Sequence, residues 1–405
     1  MLTKKTDVLR FVDSQNVITL AQQLVRIPSE NPPGSEHEIA GFVQDVFQKM
    51  GLETSIVEAE KGRSNVIAKY NVGHEPVLIL NGHADVVPAG DGWRHPPYDG
   101  VTESGRLYGR GAADMKGGLA AAISAVDAVV HSDVKLNGSL TVSVVADEEA
   151  GGRLGTGFLV EKGILKGDMA IVCEPSDFKL SVSEGGGVWF DIQSYGRSAH
   201  TIEANYAINP VEKMAKFVVA LEKVKKRLSA YDHPKYGRPI LSMNTISGGT
   251  KVNVVPEICR GSLDFRFPPG VGITPKKAIA LIQKVVNDLH EADKNLRIKL
   301  DPTIIAHPFE QPENTRIVRI VKDSAKTILG KTPKWWRKEV RQPVVKSDDS
   351  DVYHLWTKGN IPSVYFGPGK IRQCHAIDEY VEIKQIIDAT KIYALAILGA
   401  LTDLP

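Results

Sequence analysis

The chain has 405 residues, 50 basic and 48 acidic, for a net charge of +2, with 42% hydrophobic and 24% charged residues. That length exceeds the roughly 250 to 300 residues at which one core stops growing, so two domains are expected, and the near-average composition excludes a disordered, fibrous or membrane-embedded chain. The balanced charge argues against nucleic acid as a partner, because the cluster Lys223 to Arg227 reads as the solvated face of a helix, and no apolar run approaches the ~20 residues of a membrane span.

At the N-terminus, Lys4, Lys5, Asp7 and Arg10 alternate with apolar residues, unlike a secretory signal. The three cysteines, Cys173, Cys259 and Cys374, form no Cys-x-x-Cys pair and read as small core residues, so a cytoplasmic protein is expected. Val77 to Leu80 reads as a buried strand ending at Asn81-Gly82, Asp114 to Val130 as an Ala-rich helix, and Leu140 to Val145 and Met169 to Cys173 as further buried strands. This alternation predicts an α/β fold, a mostly parallel sheet sandwiched by helices, with sites at the strand ends. From about Glu184 the pattern changes. Gly185-Gly186-Gly187 reads as a swivel before a strand (Val188 to Ser194), a helix (Pro210 to Leu228), strands (Ile240 to Ile246, Ile258 to Phe267), a helix (Pro275 to Glu291) and a strand (Leu296 to Leu300). That is the ferredoxin-like order. Helix Thr315 to Leu329, strand Ser363 to Phe366 and helix Ile383 to Ala400 resume the first pattern. The expected organisation is a discontinuous catalytic domain, residues 1–183 and 303–405, with an inserted α+β lid and dimerisation domain at 184–302.

The chemistry-bearing residues sit at those strand ends. His83 and Asp85 follow the first strand, two positions apart and so on the same side of an extended chain, where Asp85 can accept the second ring proton of a metal-binding histidine; a plain polar-loop histidine is the other reading. Asp114, in Gly109 to Gly118, is either a helix N-cap or a ligand, and the glycines flanking it favour close approach to an ion. Asp147-Glu148-Glu149 places three carboxylates at the end of an apolar strand, which is expensive away from water unless cations or protons compensate. Adjacent carboxylates can then divide the work, one binding metal and one moving protons. Glu174 closes a further strand, and His375 lies in a C-terminal loop. Together, two histidines and three carboxylates suit a pair of borderline divalent ions, most simply zinc, with cobalt or manganese as substitutes.

These motifs, Asn81 to Pro88 with Trp93, Pro97 and Tyr98, then Tyr108 to Gly118, Ala146 to Gly152, Glu174-Pro175, Gly196 to His200 and Gly367 to His375, resemble the zinc aminoacylase and deacetylase family that includes acetylornithine deacetylase, succinyl-diaminopimelate desuccinylase, aminoacylase and the glutamate carboxypeptidases. The resemblance implies that His83 and Glu174 bind one ion, Glu149 and His375 the other, and Asp114 bridges them ahead of a cis peptide to Met115. It further implies that Asp85 supports His83 and that Glu148 is the general base for a water shared by the two ions. His200 is implied to hold the developing oxyanion in the site of a neighbouring subunit of a homodimer, and Asn253, Arg266 and the backbone at Gly369 to contact substrate. The expected substrate is an N-acyl amino acid; a carboxypeptidase or dipeptidase acting on a short peptide is the rival. A non-catalytic relative of the same fold would have lost the base or ligands, and none is missing here. Specificity is expected to depend on the lid loops and on Lys346 to Ser350.

Overall fold

The computed structural model describes residues 4–336 and 349–404. Chain contacts divide them into two units, residues 4–182, 311–336 and 350–404, and residues 183–310 with Asp349.

In chain order the first unit opens with α1 (Ser14–Arg26), whose first turn is held by the Asp13 carboxylate accepting from Gln15 and Asn16 N–H, and α2 (His37–Lys49). Then follow β1 (Glu53–Glu60), β2 (Arg63–Tyr70), β3 (Val77–His83), α3 (Gly117–His131), β4 (Ser139–Val145) and β5 (Met169–Val172). The second unit contributes β6 (Gly186–Tyr195), α4 (Pro210–Leu228), β7 (Ile240–Gly248), β8 (Ile258–Phe267), α5 (Pro275–Ala292) and β9 (Arg297–Ala306). The first unit resumes with α6 (Arg316–Leu329), β10 (Ser363–Tyr365) and α7 (Ile383–Leu401).

The central sheet of the first unit runs β1-β2-β4-β3-β5-β10. β3, β4, β5 and β10 are mutually parallel, and β1 and β2 are antiparallel additions at one edge. β4 and β5 are buried along their whole length, as expected of parallel strands covered on both faces. α3 packs against α7 and α1, and α7 against α6, while α2 lies on β1 and β2. The α/β reading of the sequence therefore holds.

The second unit is a four-stranded antiparallel sheet ordered β7-β8-β6-β9, and its strand-helix-strand-strand-helix-strand order is ferredoxin-like. α4 and α5 begin with Pro at their first turns and are capped by Asn209 and Thr274. A separate core of Phe190, Phe217, Phe265, Phe267 and aliphatic neighbours holds the sheet to its helices.

Two details differ from the sequence reading. The Gly185 to Gly187 segment is not a free swivel, since Gly186 and Gly187 are laddered to Phe267 and Arg266. A Cβ on Gly186 would stand 2.4 Å from the Phe267 ring, so glycine there serves close packing. The α3 helix begins at Gly117, not at Asp114, whose backbone (φ −122°, ψ 93°) is not helical.

Candidate metal centre

The parallel strands deliver their C-terminal ends to one place, where open α/β sheets collect ligands. His83 is the last residue of β3 and fully buried. Its Nδ1 donates to the backbone oxygen of Asp85 at 2.8 Å. In the neutral ring Nε2 therefore carries the lone pair, and it faces Asp114 Oδ1 at 3.2 Å and Glu148 Oε2 and Glu174 Oε1 at 3.8 Å each.

The carboxylate of Asp85 does more than attend His83. It pairs with His83 Nδ1 at 3.5 Å, and its oxygens also accept from Glu148 N–H and Glu149 N–H at 3.1 Å each and from Asn31 Nδ2 at 2.9 Å. The backbone oxygen of Asp85 orients the imidazole, while its side chain anchors the acidic loop beyond β4. Asp147, at the start of that loop, takes a left-handed conformation (φ 68°) and joins Arg63 and Glu36 in a buried ion-pair triad. Its other oxygen accepts from Leu154 N–H. Thus Asp147 is structural, and Glu148 and Glu149 are the two carboxylates turned to the centre.

His375, also left-handed (φ 61°), places Nε2 at 3.0 Å from Glu149 Oε2 and 3.5 Å from Asp114 Oδ2. Asp114 therefore offers one oxygen to each histidine. It is not an N-cap: it lies three residues before α3, and its own N–H donates to Glu379 Oε1 at 3.0 Å. The peptide from Asp114 to Met115 is cis, as the resemblance implies. Glu174, two residues beyond the end of β5, also accepts from Tyr365 OH at 3.4 Å.

The charges do not balance with protein groups alone. Burial by itself would depress the His83 pKa, yet Asp114, Asp85, Glu148 and Glu174 raise it well above the usual imidazole value. His375 is pushed up to about 10 by hydrogen bonds to Asp114 and Glu149. Glu149 is itself raised to about 7, because burial and the Asp114 charge outweigh its bond to His375. Nε2 of each histidine thus points at carboxylate oxygens, an arrangement that requires shared protons or cations between them. His83, Asp114 and Glu149 form one group whose ligand atoms lie within 4.8 Å of one another, and His83, Glu148 and Glu174 form another. Histidine nitrogen with carboxylate oxygen is a donor set suited to zinc and its neighbours. The residues present fit a metal centre.

The remaining sequence candidates are placed as follows. His200 lies exposed in the second unit, its Nδ1 accepting from Ile202 N–H and its Nε2 3.4 Å from Asn253 Nδ2, with Ala199–His200 laddered to Val254–Val255. Arg266, on β8, bonds Asp264 Oδ2 through Nε at 2.7 Å. Gly369 (φ 89°) packs against Pro175 and Ala113, but its N–H donates to Gln385 Oε1 at 2.9 Å, so in this structure that donor is engaged by protein rather than offered to substrate. Lys346, Ser347 and Asp348 lie outside the described residues. Sequence reasoning missed Arg110 and Glu379 as site-forming residues: Arg110 stands inside the Tyr108 to Gly118 motif, and Glu379 lies four residues beyond His375. Their partners are more than 260 residues apart, and no local pattern announces such a pair.

Comparison with known proteins places the chain in a family. Residues 79–399 match peptidase family M20/M25/M40. A protein named probable succinyl-diaminopimelate desuccinylase from Staphylococcus aureus (strain N315) is 25% identical over 391 residues, covering 90% of this chain and 92% of that one. The N-formyl-4-amino-5-aminomethyl-2-methylpyrimidine deformylase of Bacillus subtilis (strain 168) is 28% identical over 402 residues, covering 93% of each. Among solved structures, the M20 family metallo-carboxypeptidase Sso-CP2 from Sulfolobus solfataricus shares the fold with a TM-score of 0.76 at 21% identity, covering 95% of this chain and 98% of that one. The chain belongs to peptidase family M20/M25/M40 and is a metal-dependent hydrolase of the amidohydrolase and peptidase kind.

Proposed function

We propose that the chain cleaves the amide bond of an N-acyl amino acid, with His83 and Glu174 holding one divalent ion, Glu149 and His375 a second, and Asp114 shared between them. The observation that carries this reading is the Asp114 carboxylate, which presents Oδ1 to His83 and Oδ2 to His375. Zinc is the ion the donor set fits best, with cobalt or manganese as substitutes. Bound there, the pair of ions supplies Lewis acidity toward the amide carbonyl and toward water.

The chain's own residues supply the rest. Glu148, buried beside His83 and held through its backbone N–H by Asp85, removes a proton from the attacking water and returns it to the leaving amine. The first unit serves as the catalytic domain and the second as the lid. His200 and Asn253 form one exposed polar pair there, and we assign them to the carbonyl oxygen and the substrate, with Arg266 a further substrate contact. The lid also supplies the surface for a second copy of the chain: β7 is an edge strand with Ile246 exposed, and Val219 on α4 is 70% exposed. Free cysteines and the absence of any helix long and apolar enough to cross a membrane among the described residues accord with a cytoplasmic placement.

Acyl transfer to water from a small amine is favoured over peptide cleavage by the names of the relatives at 25% and 28% identity, a desuccinylase and a deformylase. The fold likeness to a carboxypeptidase supports the peptidase reading. Zinc-loaded protein assayed on N-acetyl, N-succinyl and N-formyl amino acids against dipeptides separates the two, and turnover of dipeptides alone rejects the acyl reading. Glu148→Gln is expected to bind metal as the wild type does while losing about 10²- to 10⁴-fold in kcat. Wild-type kcat in that variant would remove Glu148 as the base.

A further inference from the structure

Glu379 is fully buried, and each oxygen of its carboxylate takes two donors. Oε1 accepts from the N–H groups of Ala113 at 2.8 Å and Asp114 at 3.0 Å, and Oε2 from Gly111 N–H at 3.1 Å and Arg110 Nη1 at 2.7 Å. Arg110, equally buried, carries the connection onward. Its Nη1 reaches the backbone oxygen of Ala376 at 3.1 Å, and its Nη2 those of Pro88 and Ala89 at 3.4 and 3.3 Å. The indole of Trp93 lies under the guanidinium, 5.0 Å away, with Nε1 bonded to the same Ala89 oxygen.

Three segments distant in sequence are thereby tied at one ion pair: the turn that carries Asp114, the loop that carries His375, and the chain just beyond β3. A buried ion pair is a costly way to satisfy three backbone N–H groups, which a neutral acceptor or water can do. What it adds is a directed tie to two specific peptides, the N–H of Asp114 itself and the carbonyl adjoining His375. The His83 side of the centre has its own anchor in Asp85 and Asn31, so Glu379 and Arg110 complete the support on the other side.

We propose that the Arg110–Glu379 pair is a positioning clamp that sets the separation between the Asp114 carboxylate and the His375 imidazole, and so governs binding of the ion these residues share. This rests on the two-ion reading above. Neither residue touches an ion or substrate in it; both act through Asp114 and His375.

The test uses metal-free protein titrated with Zn²⁺ by calorimetry and with Co²⁺ by visible absorption, with circular dichroism and thermal unfolding reporting whether the metal-free fold survives. Wild type is expected to bind two ions. Glu379→Gln should remain folded yet show one of the two steps weakened about 10- to 100-fold, with an altered cobalt spectrum. Arg110→Lys keeps the charge but loses the planar fork, and should weaken the same step. Glu382→Gln, whose partner Arg106 lies half exposed 3.8 Å away, should titrate as wild type. A folded Glu379→Gln with an unchanged isotherm and spectrum overturns the clamp while leaving the two-ion reading intact. Should Glu379→Gln fail to fold, unchanged binding in Arg110→Lys overturns it in the same way. Wild type that takes up no metal overturns both.

Discussion

Asp114 concentrates the electrostatics of the centre in one side chain, facing His83 with one oxygen and His375 with the other. Without ions, both imidazoles hold protons beyond their usual range, His375 up to about 10, and Glu149 holds one up to about 7. Ions at these atoms must displace the protons, so their release accompanies binding. The sign follows directly: lower pH fills the ligands with protons and weakens binding. Apparent affinity should fall as pH drops below about 10, and more steeply below about 7, where Glu149 also takes up a proton. Calorimetry in buffers of different ionisation enthalpy counts the protons released. An isotherm independent of pH between about 6 and 9 would remove His375 and Glu149 from the ligand set.

At the scale of elements, the centre depends on how closely α3 approaches the strand ends. Gly118, in the first turn of α3, faces Cys173, the residue just beyond β5; a Cβ there would lie 2.0 Å from the Cys173 backbone oxygen. Backbone on both sides leaves no flexible group to yield, so Gly118→Ala should destabilise the first unit by about 1–3 kcal/mol or more. Gly41, inside α2, has open space at the same position. There the change to alanine removes freedom from the unfolded chain and should stabilise by about 0.5–1 kcal/mol. Thermal unfolding of the two variants beside wild type checks both signs. Equal shifts would show that close approach of α3 is not what demands glycine at 118.

For the whole molecule, the chemistry is divided between units with separate cores. All five candidate ligands and Glu148 belong to the first unit, whereas His200 and Asn253 belong to the second. His200 lies in an exposed stretch with Ile202, Tyr206 and Val252, apolar side chains that water does not favour. A second copy covering that stretch would let His200 serve its partner's site. Mixing Glu148→Gln with His200→Ala protein under conditions that exchange subunits should then restore part of the activity, because each heterodimer holds one site with both residues intact. Verified heterodimers that stay as inactive as either parent would reject action in trans.

The α/β class and the ferredoxin-like order of the second unit were readable from the chain itself, and His83, Glu148, Glu149 and Glu174 stood out there as polar residues at the ends of buried strands. Those features are written locally: β-branched runs make buried strands, and acidic residues or histidines immediately beyond them have few other places to stand. Non-local hydrogen bonding decided the rest. Asp114 reads as either a helix cap or a ligand until Glu379, 265 residues away, is seen to take its N–H and exclude the cap. Asp85 reads as a support for the imidazole, and only the fold adds that its oxygens also hold the N–H groups of Glu148 and Glu149. A buried donor or acceptor takes the partner that folding brings to it, and the identity of that partner is set by packing across the sheet rather than by neighbours along the chain.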